Sequence, residues 1–108
     1  MQVVFFRLDS GREPVREWLK ALDQASRRSI GADLKNLQLG WPAGMPLARK
    51  MAEGLWELRS RLPSGIARTF FTLQGAKIVL LHGFIKKAQK TAPKALAIAK
   101  RRLTRLRS

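Results

Sequence analysis

KIVLLHGFI, residues 77–85, is the stretch that decides the fold. Ile78, Val79, Leu80 and Leu81 run without alternation, the pattern of a strand buried on both faces rather than one with a wet side. Gln74-Gly75 turns the chain just before it, and the Lys86-Lys87 pair closes it. A strand of this kind belongs inside a sheet, with neighbours on both sides. The chain's one histidine, His82, lies within it, next to a block of positive charge.

Working outward, IARTFFTL (residues 66–73) reads as the preceding strand and carries Arg68. Pro63-Ser64-Gly65 is a turn. In GLWELRSR the period is two: Trp56 and Leu58 point one way, Glu57, Arg59 and Arg61 the other. GWPAGMP (residues 40–46) is a loop, and a further short strand around residues 47–51 is left open. At the start, VVFFRL (residues 3–8) is short, branched and aromatic, and reads as a strand. Val15, Trp18, Leu19 and Leu22 then give one apolar helical stripe, with Pro14 in the first turn and Glu13 and Glu17 at the positive end of the dipole. A second helix spans residues 24–39 with Ile30, Leu34 and Leu37 buried, and ends at Gly40 and Pro42. Thr91 can cap a last helix with Pro93 in its first turn. Leu96, Ala99, Leu103 and Leu106 form its seam, while Lys100, Arg101, Arg102, Arg105 and Arg107 clothe its end. The expected fold is α+β, one domain over residues 1–108: a small twisted antiparallel sheet with an N-terminal helical hairpin and a C-terminal helix, in the order β-α-α-β-β-β-α.

Charge narrows the function. The chain has 22 basic and 7 acidic side chains and a formal net charge of +15. All seven acids fall in residues 1–57, against nine bases; residues 58–108 hold thirteen bases and no acid. Such a field favours a polyanion, nucleic acid first and an acidic protein second. The absence of cysteine removes disulfides and thiolate metal sites, and no acid or histidine cluster offers a metal site. No cofactor is expected. No apolar run reaches membrane length, and the first residues do not read as a signal peptide, so a cytoplasmic protein away from membranes is the expectation.

Arg59, Arg68, His82 and the Lys86/Lys87 pair interrupt strands otherwise made for burial. On one sheet face they would suit RNA cleavage by its own 2′-hydroxyl, which needs proton transfer and cations around the phosphorane but no metal. Arginine presents a planar fork to phosphate, and histidine exchanges protons near neutrality. Plainer readings stand beside this. Arg59 pairs equally well with Glu57, His82 with backbone, and the lysines form a solvated turn. Trp18, Trp41 and Trp56 read as core or loop anchors, whereas Phe84 at the strand's end could stack on a base.

GLWELR (residues 54–59), Arg68 within ARTFF, and KIVLLHGFIKKAQKTAPK (residues 77–94) followed by a basic helix together resemble the phage-derived killer-protein branch of the RelE/HigB toxin superfamily. The resemblance covers most of the chain; its letters are weak over residues 1–45 and strong over 54–94. It implies a toxin of a type II toxin–antitoxin module that enters the ribosomal A site and cuts mRNA without a metal. It also implies an antitoxin partner, a small helix-turn-helix protein. The matching catalytic positions are Arg59, Arg68, His82 and Lys87. The expected RNA-binding set is Lys50, Phe84, Lys86, Lys90 and Lys94. Some relatives use a tyrosine near the C-terminus; this chain has none, and Thr91 stands in that neighbourhood. The alternatives are a ParE-like poison of DNA gyrase that cuts nothing, and a basic nucleic-acid-binding module without activity.

Overall fold

The computed structural model describes residues 1–41, 48–86 and 92–108. Its elements are β1 (Gln2–Phe5), α1 (Pro14–Ala21), α2 (Gln24–Gly40), β2 (Ala48–Ala52), β3 (Leu55–Leu62), β4 (Gly65–Gln74), β5 (Lys77–Lys86) and α3 (Pro93–Arg107). The fold is α+β, as the periodicities require, and the further short strand expected ahead of β3 is present as β2. Of the sequence expectations, the loop after Trp41, the cap at Thr91, and Lys87 and Lys90 lie outside the described residues. Among those described, Ala92 occupies the N-cap of α3 and Pro93 its first turn.

One five-stranded sheet has the order β1-β5-β4-β3-β2. β2 to β5 form an antiparallel meander, and β4 and β5 are joined through Gly75, whose φ of 59° a side chain would resist. β1 departs from the all-antiparallel expectation. It lies parallel to β5, Gln2 opposite Lys77 and Phe5 opposite Leu80, and so covers the edge that β5 would otherwise expose. β5 is therefore interior, which is why its sequence shows no wet side.

Helices cover both faces. α1 and α2 lie on one, where Val15, Ile30, Leu34 and Leu37 pack on Leu58, Phe71, Ile78 and Leu80. Asp23 starts α2 by accepting a hydrogen bond from the Ser26 N–H at 3.2 Å; the Ser26 side chain first, and then this N–H, hold its carboxyl below the usual range. Trp41 meets Trp56 and Phe71 edge-on, with centroids 5.3 and 5.5 Å away. The ring of Trp18 lies against Gly83, where an added Cβ would overlap it. All three tryptophans are core anchors. On the opposite face α3 buries Ala95, Ala99 and Leu103 against Phe6, Leu55, Phe70, Val79 and Leu81. Among the described residues no helix is long and apolar enough to cross a membrane.

Candidate functional site

The pairing register aligns the polar side chains of the α3 face in three transverse rows. Arg49, Glu57, Phe70 and His82 are successive cross-strand partners over β2, β3, β4 and β5. Arg59, Arg68 and Phe84 form the next row, and Arg61, Ile66 and Lys86 the third. Directly opposed residues share a face, and neighbouring strands lie about 4.8 Å apart. Arg59, Arg68, His82 and Lys86 thus lie on one face, as the sequence suggested, and Phe84 joins them.

His82 reaches that face through an irregularity. Phe70 pairs with His82 but Phe71 with Leu80, so Leu81 is an extra residue in β5. A β-bulge resets the alternation of side chains. Val79 and Leu81 pack under α3, and His82 follows on the same side, its ring parallel to Phe70 at 6.5 Å and near-parallel to Phe84 at 6.0 Å. Without the bulge His82 would turn towards α1.

Glu57 is the hub of the first two rows. Its side chain is 0% exposed, as is that of Arg68, whose Nη1 donates to Glu57 Oε1 at 3.1 Å. Arg49 Nη2 stands 3.7 Å and Arg59 Nε 3.9 Å from the same oxygen, and both reach solvent, their side chains 53% and 32% exposed. A buried carboxylate is tolerable only when compensated, and three guanidinium groups do so. Arg68 accordingly departs from its expected role: sealed inside the sheet's face, it cannot touch a phosphate and instead fixes Glu57. The pairing of Arg59 with Glu57 and its display to solvent are both present.

Lys50 is also placed differently from expectation. It pairs with Trp56, on the other side of β2 from Arg49, and its ammonium lies 3.3 Å from Glu53. Arg49 takes the position on the candidate face. Only the register separates these adjacent cations, and a register is not visible in a sequence. Lys86 is half-buried at the end of β5, and Lys94 is exposed in the first turn of α3.

Arg102 was not foreseen. Its Nη1 donates to the Leu81 carbonyl at 2.8 Å and lies 3.4 Å from His82 Nδ1. Arginine has donors only, so Nδ1 is the accepting nitrogen of a neutral ring. Burial, and then the charge of Arg102, push the His82 pKa down from 6.5 to about 4. The signal for Arg102 was its position three residues after buried Ala99, on the apolar stripe of α3. The arrangement offers a neutral imidazole, two partly exposed arginines held by a buried carboxylate, a lysine and the Phe84 ring. Among the described residues no three His, Cys, Asp or Glu side chains gather to hold a metal ion.

The family model for phage-derived protein Gp49-like (DUF891) matches residues 17–104, from α1 into the last turns of α3. The chain belongs to this family. Gp49-like proteins are a RelE/toxin-like family, which agrees with the sheet and helices described above. The matched span contains every row residue of the candidate face and leaves out β1. No curated protein matches this Gp49-like chain.

Proposed function

We propose that this Gp49-like protein is the HigB-like toxin of a type II toxin–antitoxin module and cuts mRNA on the ribosome by 2′-hydroxyl attack, without a metal. The observation that carries this reading is the alignment of Arg49, Arg59, Lys86 and neutral His82 on one face of the sheet. The 2′-oxygen attacks phosphorus as its proton passes to His82. The phosphorane oxygens face Arg59 and Arg49, preorganised cations of the kind whose removal costs about 10²–10³-fold in rate. The departing 5′-oxygen takes a proton from the Lys86 ammonium, and a 2′,3′-cyclic phosphate remains. Phe84 supplies a ring for the neighbouring base. Arg68 acts at one remove, by holding Glu57 and through it the two outer arginines. Lys87, Lys90 and Lys94 extend the cationic track in this reading. The antitoxin is a small helix-turn-helix protein that covers the basic face.

The test is induction of the wild type in a bacterial host, with primer extension on ribosome-bound mRNA and end-group analysis of the fragments. Cleavage leaving 2′,3′-cyclic phosphate, lost in Arg59→Ala, is the expected outcome. Growth arrest with intact mRNA and inhibited DNA supercoiling would transfer the protein to the gyrase-poisoning class.

A further inference from the structure

A second cationic site opens beside His82, between the end of β1 and α3. The cleft has a volume of about 550 Å³, within the roughly 300–1,000 Å³ range of small-ligand pockets. Phe6 and Ile98 give it an apolar floor, and Arg101, Arg102 and Arg105 stand along its α3 wall. Its one carboxylate, Asp9, is bonded to Arg105. Among the described residues neither Arg101 nor Arg102 has a carboxylate partner. Their mutual repulsion helps to lower the Arg102 pKa, after burial. Uncompensated like charges over an apolar floor fit a nucleotide: phosphate on the arginines, base or ribose on Phe6 and Ile98.

We propose that the β1–α3 cleft is a subsite for one nucleotide of single-stranded RNA next to the scissile bond, and that its phosphate recruits Arg102. The proposal rests on the RNA-cleaving reading and deepens it. Arg102 links the two places: it lines the cleft and also holds His82 Nδ1 through a long contact of 3.4 Å. When a phosphate draws its guanidinium away, Nδ1 opens to accept the 2′-hydroxyl proton. Strand occupancy and proton acceptance are then one event.

The probe is a mixed-sequence RNA decamer with 2′-O-methyl riboses, which cannot attack their own phosphates. Its affinity for the intact protein is measured at several salt concentrations for the wild type, Arg101→Gln, Asp9→Asn and Lys77→Gln. Lys77 is exposed at the distant β4–β5 turn, so Lys77→Gln removes the same charge away from the cleft. Arg101→Gln should weaken binding by about tenfold and shallow the salt slope by about 0.7, the loss of one charge-assisted phosphate contact. Lys77→Gln should change it much less, and Asp9→Asn should tighten it by about two- to fivefold by freeing Arg105. His82 gives the protein's only imidazole ¹⁵N signals, and the Nδ1 resonance should move on RNA addition in the wild type and move less in Arg101→Gln. Equal losses from Arg101→Gln and Lys77→Gln, or an unmoved Nδ1 resonance at saturation, overturn the subsite. Cleavage of ribosome-bound mRNA is scored separately. Its absence in the wild type removes the RNA-cleaving reading and the subsite with it, whereas its presence with equal losses removes the subsite alone.

Discussion

Removing Arg68 should break the fold before it touches the chemistry. Arg68 and Glu57 are both fully buried and joined at 3.1 Å, so Arg68→Ala strands a carboxylate inside the sheet. Breaking a buried pair by deleting one partner costs about 3–5 kcal/mol. Arg49 and Arg59 remain 3.7 and 3.9 Å from the same Glu57 oxygen, which places the cost near the lower end, about 3 kcal/mol. At roughly 4 °C per kcal/mol for a chain of this length, the melting temperature falls by about 12 °C. Circular dichroism melts of purified wild type and Arg68→Ala measure this directly. The double variant Glu57→Leu/Arg68→Met removes both charges and fills the space. It should melt within about 4 °C of the wild type, since replacing a whole buried pair by apolar groups is often neutral or better. An Arg68→Ala protein that loses less than about 1 kcal/mol, or a double variant no more stable than the single, would refute the argument. Loss of toxicity in Arg68→Ala is consequently no measure of phosphate binding unless activity is scaled to folded protein.

Further outcomes concern the candidate face and its support. Arg59→Ala, partly exposed and beside a hub that keeps two other cations, should fold normally yet lose about 10²–10³-fold in single-turnover cleavage of ribosome-bound mRNA. His82 has a native pKa of about 4 against 6.5 unfolded. Its contribution to stability is complete above pH 6.5 and is lost as pH falls through 4, because the unfolded chain takes up the proton first. The ring is partly solvated, so the loss comes to about 1–2 kcal/mol, and melts from pH 7 to 4 should show it in the wild type but not in His82→Gln. Gly83→Ala drives a methyl into the Trp18 ring and should destabilise by about 1–3 kcal/mol in chemical denaturation, with a changed Trp fluorescence. Lys86→Gln should shallow the salt dependence of RNA binding by about one unit while leaving the melting temperature almost unchanged.

The helices were legible because their signals are local. Pro14, the Val15 stripe, Asp23 and the Ile30–Leu34–Leu37 face all act within a few residues of one another. The alternation in residues 55–62 likewise fixed which side of β3 would carry Glu57 and Arg59. Long-range pairing was not legible. Nothing in VVFF announces a parallel partner at the far end of the chain, and nothing in LLHG marks Leu81 as an extra residue, because a bulge exists only relative to a neighbouring strand. The candidate site inherits this division. Arg59 and His82 were found as polar interruptions of strands. Arg49 was passed over for Lys50 because the register decides between them. Arg68 reads as a phosphate ligand in the sequence because its partner Glu57 comes from another strand.

The parallel pairing of β1 with β5 also orders events in time. β2 to β5 are joined by short connections and can zip as successive hairpins, each closing a small loop. β1 is synthesised long before its partner residues 77–80, and α3 follows later still. A nascent chain therefore carries β1 without its partner strand until β5 has been made. The side of β5 that displays His82 lacks Arg102 until α3 has been added as well. The candidate face thus cannot be completed until α3, the last element described, has been made and has docked on the sheet.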